Sequence, residues 1–127
     1  MNSLIRTIDW SRSSYSRCFK LPLESWQKVE RYAYERGLRS MTDAIYAVAH
    51  LCSQPTYRAR IKCGDLAGWD VPKKSVQWRG KKSEVAGLYE AKKDGCGKSL
   101  DMVLFLAIKA LTGWEDIPMV YSQKVKK

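Results

Sequence analysis

The side chains of this 127-residue chain that could do chemistry are few, and most of the usual arrangements can be set aside at once. Cysteines stand at 18, 52, 63 and 96, and the single histidine, His50, lies two residues before Cys52. A zinc site needs four ligands at tight, paired spacings, and no C-x-x-C pair is present, so no metal or other cofactor is expected. His50 has no Asp, Glu or Cys at a catalytic spacing and reads as a partly buried helical residue. The stretch GCGKS (95–99) resembles the end of a phosphate-binding loop. The full motif would place glycine where Lys92 stands and would follow a buried strand, not a charged helix. No carboxylate pair or triad stands out, and no enzymatic role is expected. What remains is positive charge: 23 Lys+Arg against 13 Asp+Glu, a formal net charge of +10. Such a surface attracts phosphate polyanions or anionic lipid.

These cations must be carried by a folded scaffold. A hydrophobic content of 45% is ordinary for a globular protein, and the length suits one compact domain or two very small ones sharing a core. The longest apolar run, Met102 to Ile108, is far short of the ~20 residues that cross a bilayer. The opening MNSLIRTIDWSR has no apolar stretch of signal-peptide length, so a soluble, cytoplasmic protein with free thiols is expected, Cys52 lying in the core.

Residues 1–13, with Arg6 and Arg12, read as a basic N-terminal arm. In SYSRCFKLP, Phe19 and Leu21 alternate with Cys18 and Lys20, the period of a strand with one buried face. Pro22 ends that strand and suits the first position of a helix. Trp26, Val29 and Ala33 then form an apolar helical stripe, with Tyr32 flanking, that Gly37 is placed to stop. Ser40-Met41-Thr42-Asp43 offers a capping-box variant opening a second helix. From Met41 to Cys52 nearly every residue is apolar or small, so most of that helix must be buried. It needs a partner, either another chain or the rest of this one.

Residues 53–74 form a connector broken by Pro55, Gly64, Gly68 and Pro72, with a short helix or turn around 58–63. Beyond it the early pattern recurs. Val76 and Trp78 alternate with Gln77 and Arg79; Val85, Leu88 and Ala91 form a helical face; Gly95 supplies a stop; and SLDMVLFLAIKALTG is a second almost wholly apolar helix. Setting Gly37 on Gly95 gives an offset of 58, which also matches Asp43 to Asp101, Ile45 to Val103 and Val48 to Leu106. The strands need a one-residue shift. The organisation expected is an arm (1–13), a first unit (14–52), a connector (53–74), a degenerate second unit (75–113) and a basic tail (114–127).

The order strand, Leu-Pro, amphipathic helix, G-x-x-S turn, buried helix in SRCFKLPLESWQKVERYAYERGLRSMTDAIYAVAHLC (16–52) resembles the ribbon-helix-helix family of DNA-binding proteins, of the Arc, MetJ and CopG type. Two such units in one chain look like the tandem TraY-type relaxosome proteins of conjugative plasmids. The second unit departs from the pattern: Arg79-Gly80 replaces Leu-Pro, and the turn GCGKS carries an extra small residue. The fold class this resemblance implies is mainly α with a short two-stranded β-ribbon, built from two degenerate units.

The resemblance implies a ribbon whose buried face holds Phe19, Leu21, Val76 and Trp78. Its other face would offer Ser16, Cys18, Lys20, Ser75, Gln77 and Arg79 to base edges in the major groove, where Lys, Arg and Gln match guanine and adenine. It also implies phosphate contacts at the starts of the second helices, at Arg39, Ser40 and Met41 and at Gly97, Lys98 and Ser99, with Lys81 and Lys82 adding charge. Without that fold, Lys20, Gln77 and Arg79 are ordinary solvated strand residues, and Cys18 is a weak reader by chemistry. The expected function is sequence-specific double-stranded DNA binding, in transcription regulation or as an accessory protein of a plasmid or phage DNA complex. The chain would act as a monomer with an internal pseudo-dimer or as a homodimer. One rival is a protein-interaction module, an antitoxin or accessory factor whose basic surface meets an acidic protein partner. Another is a non-specific or single-stranded nucleic-acid binder stacking bases near Arg17, Tyr57, Arg58 and Arg60.

Overall fold

Alternation of side chains decides the first element. In the computed structural model, which describes residues 15–112, strand β1 (Tyr15–Pro22) buries Phe19 and Leu21 completely and exposes Ser16, Cys18 and Lys20. It pairs antiparallel with β2 (Lys73–Gly80), in which Trp78 is buried and Val76 half-buried. The register runs Ser16↔Arg79, Cys18↔Gln77, Lys20↔Ser75 and on to Pro22↔Lys73, so β2 begins two residues before the boundary read from the sequence. The N-terminal arm and the tail from Gly113 onward lie outside the described residues.

Pro22 is the last residue of β1 and the N-cap of α1 (Leu23–Glu35), not a residue of the helix's first turn. Its φ of −56° with ψ of 150° serves both roles, because the proline ring fixes the first angle where an extended chain and a cap both accept it. Helix α1 buries Trp26, Val29, Tyr32 and Ala33. It stops at Gly37, whose φ of +70° is open to glycine at low cost. The Leu38 amide then donates to the Ala33 carbonyl (2.8 Å) and the Gly37 amide to Tyr34 (3.2 Å), a Schellman closure of the last turn. The second half ends its corresponding helix the same way. After a 3-10 turn (Lys82–Val85), α4 (Ala86–Lys93) runs to Gly95 at φ +87°, with the Cys96 amide donating to Ala91 (2.9 Å) and Gly95 to Lys92 (3.0 Å).

Helices α2 (Met41–Cys52) and α5 (Leu100–Lys109) form the centre of the core, burying seven residues each. The Ser40 hydroxyl accepts from the Asp43 amide and the Ser99 hydroxyl from the Met102 amide, both at 3.2 Å. These matched caps revise the repeat. The glycines are 58 positions apart, but the caps Ser40 and Ser99 are 59 apart, because the second turn holds one more residue. Asp43 therefore corresponds to Met102 rather than Asp101, Ile45 to Leu104 and Val48 to Ala107, and both of the last two pairs are fully buried. His50, read from the sequence as partly buried, is exposed on the polar edge of α2 in its last turn.

The halves are intertwined. Helix α2 packs on β2 and α4, and α5 packs on β1 and α1, so each apolar helix is covered in part by the other half. The connector contributes α3 (Pro55–Lys62), which starts three residues before the expected turn because Pro55 suits its first turn. Its Tyr57 is fully buried and donates its hydroxyl to the Ala107 carbonyl (2.6 Å), while Arg60 Nε donates to Ala110 (2.8 Å). These donors satisfy carbonyls that the end of α5 leaves without intrahelical partners. Trp69 packs on Phe105 with ring centroids 5.0 Å apart, tying the rest of the connector down. No described helix is long and apolar enough to cross a membrane.

Candidate nucleic-acid interface

Strand pairing brings the six side chains expected to read bases onto one surface. Ser16, Cys18 and Lys20 from β1 and Ser75, Gln77 and Arg79 from β2 are all exposed, and each is the direct cross-strand partner of another member of the set. The ribbon's other face lies on the core through Phe19, Leu21 and Trp78. The Trp78 indole donates to the Thr42 carbonyl (3.2 Å), and the Trp26 indole to the carbonyl of Lys74 (2.8 Å). Those two bonds fasten β2 to α2 and α1 and hold the outer face in place.

The outer face presents two cations, an amide, two hydroxyls and a thiol, and these six side chains include no carboxylate. Gln77 Nε2 donates to Ser16 Oγ at 2.7 Å, fixing the amide across the strands. Arg17 has the opposite phase and does not join this surface. It is half-buried, stacks over the Phe19 ring at 5.2 Å and pairs with Asp101 at 3.7 Å. Asp101 Oδ1 also accepts from the Lys20 amide (3.4 Å), linking the start of α5 to β1. Neither contact was read from the sequence. The available signal was the inward phase of Arg17, since a cation turned toward a core needs a carboxylate.

The residues expected to meet phosphate fall beside the ribbon at both ends. Thr42, at the start of α2, touches Trp78 of β2, and Asp101, at the start of α5, touches Lys20 of β1. Arg39 and Ser40 are exposed and Met41 half-buried; Lys98 is exposed, and Gly97 and Ser99 are half-buried. By the matched caps, Arg39, Ser40 and Met41 correspond to Lys98, Ser99 and Leu100, and Gly97 belongs to the longer turn. The serine hydroxyls are engaged as caps. Helix geometry leaves the amides of the first two residues of each helix free of intrahelical acceptors, and the dipole there favours an anion. Lys81 and Lys82 are exposed just beyond β2, Lys82 with its ammonium 5.1 Å from the centre of the Tyr89 ring. Lys73 turns back over Trp69, 4.4 Å from the ring centre.

The side chains named for base stacking are engaged elsewhere. Tyr57 has no exposed surface, Arg58 is held by Asp94 (3.0 Å) and the Cys52 carbonyl (3.0 Å), and Arg60 caps α5. GCGKS follows a helix and forms the turn between α4 and α5, with Cys96 buried. All four cysteines are free. Burial pushes the thiols of Cys52 and Cys96 up and keeps them protonated, while Cys18 and Cys63 are exposed. Among the described residues no group of His, Cys, Asp and Glu could hold a metal ion.

No family model matches the chain, and no curated protein or solved structure does so either.

Proposed function

We propose that this chain is a tandem ribbon-helix-helix protein that binds double-stranded DNA in a sequence-dependent way, laying the outer face of β1–β2 in the major groove. One observation carries the reading. Six polar side chains expected at alternate positions of two strands far apart in sequence stand exposed, on one face, as three cross-strand pairs. A two-stranded ribbon fits the major groove, and Lys20, Gln77 and Arg79 supply the donors that match guanine and adenine edges. The helix starts on either side, with Arg39 and Lys98, are suited to phosphates and would set the register. Because the strands pair within the chain, the proposed binding unit is a single chain acting as its own pseudo-dimer. A regulator of transcription or an accessory protein of a plasmid or phage DNA complex would use such a unit.

The test compares affinities for a preferred duplex and an unrelated one over a salt series. Lys20→Ala, Gln77→Ala or Arg79→Ala should each cost about 1–3 kcal/mol on the preferred duplex and little on the other. Equal weakening on both duplexes would contradict direct readout. Retention of a stoichiometric acidic protein with no DNA binding at ~150 mM salt would support a protein-interaction module instead.

A further inference from the structure

Resting on the duplex reading above, we infer that the sequence selected by the ribbon is a near-palindrome whose symmetry breaks at its centre. A single offset superimposes the strands and helix starts of the two halves. The N-caps Pro22 and Lys81, the N-caps Ser40 and Ser99, and the buried rings Phe19 and Trp78 are each 59 positions apart. Applied to the outer face, that offset equates Ser16 with Ser75, Cys18 with Gln77 and Lys20 with Arg79. The pairing register then locates the axis. Cys18 and Gln77 are equivalent to each other and also paired with each other, so the approximate two-fold passes between them. It carries the pair Lys20–Ser75 onto the pair Arg79–Ser16.

The ends of the face are therefore alike in chemistry and the middle is not. Lys20 and Arg79 both donate, and both suit guanine O6 and N7. They stand two residues to either side of the axis. Four residues of strand span about 13 Å, which is about four base-pair steps. The two guanines they reach belong to opposite DNA strands, in inverted orientation. At the axis Gln77 has the amide and Cys18 only a weak donor. One N–H of Gln77 is taken by Ser16, which leaves the other N–H and Oε1 for the N7 and N6 of an adenine. Ser16 is thus a positioning residue for Gln77. Its counterpart Ser75, paired with Lys20, lies diagonally from Cys18, where there is no amide to hold.

Selection of duplexes from a randomised library by the full chain tests this. The unmodified protein should enrich two inverted guanines about four steps apart, flanking an asymmetric centre. Combining Cys18→Gln with Lys20→Arg, both at exposed positions, makes the two strands present the same Ser, Gln and Arg and should enrich a symmetric site. Ser16→Ala should lower the central preference roughly five-fold and leave the outer guanines unchanged. A strongly enriched motif without an inverted relation overturns the symmetry and leaves duplex binding standing. An unchanged centre in Ser16→Ala overturns the positioning role. Enrichment of no duplex at all overturns both this inference and the function on which it rests.

Discussion

Where the first half fills its side of the ribbon with Phe19 and Leu21, both fully buried, the second half uses Trp78 and leaves the corresponding position 80 to glycine. A Cβ at Gly80 would lie 2.8 Å from the Trp78 ring and 2.7 Å from Glu84 Oε1, so the indole covers what a second side chain covers in the first half. The helix contacts differ as well. Gly87 lets α4 approach α2 so closely that a Cβ would stand 2.0 Å from the Ala49 carbonyl oxygen. The matching position in α1 is Lys28, beside a groove of about 560 Å3 between α1 and α5 that Phe105, Ile108 and Lys109 help to line. Burial and the nearby Lys109 lower the pKa of Lys28 there. The strand register, the serine caps and the Schellman turns are nevertheless the same in both halves. Features that place the outer face of the ribbon are held in common, and features that only fill space are free to differ.

The sharpest way to break that comparison is at the helix contacts. Gly87→Ala forces α4 and α2 apart and should cost about 3 kcal/mol in chemical denaturation. Lys28→Ala, at the open counterpart, should cost under about 1 kcal/mol. Equal losses would mean that the two contacts are not different in kind.

The ribbon compensation is next in size. Gly80→Leu should cost about 2 kcal/mol because the Trp78 ring occupies the space. Trp78→Phe with Gly80→Leu recreates the pair used by the first half. The double variant should be more stable than the sum of its single changes by about 1 kcal/mol or more. Additive losses would show that the two positions do not share a volume.

Much of this was legible from the sequence for physical reasons that act locally. Period-two alternation found β1, the inward Trp78 and the outer donors, and glycine's freedom at positive φ found both helix stops at Gly37 and Gly95. Distant compensation was not legible. Nothing near Gly80 in the chain says that Trp78 folds over it, or that Gly87 faces a carbonyl of α2. The one-residue shift was legible for the strands and in the longer second turn. Its extension to the second helices was not, because only hydrogen bonding shows that Ser40 and Ser99 are the matched caps. Likewise the bracing of α5 by Tyr57 and Arg60 depends on carbonyls 50 residues away. An Arg and a Tyr in a polar connector look like surface until that contact is known.

The smallest effects should be matched ones. Gly37→Ala and Gly95→Ala each place an L side chain at positive φ with open space around the new Cβ. Each should therefore cost only the backbone strain, about 1 kcal/mol, and the two losses should agree. A much larger loss at one turn would mean that the two closures are not equivalent.

The claim that the ribbon lies in the major groove is tested most directly by methylation interference on a preferred duplex. Methyl groups on guanine N7 occupy the major groove, and those on adenine N3 the minor groove. The account predicts that N7 methylation of two guanines on opposite strands blocks binding, and that Lys20→Ala or Arg79→Ala each removes sensitivity at one of them. Interference from adenine N3 alone, with N7 methylation tolerated throughout, would contradict it.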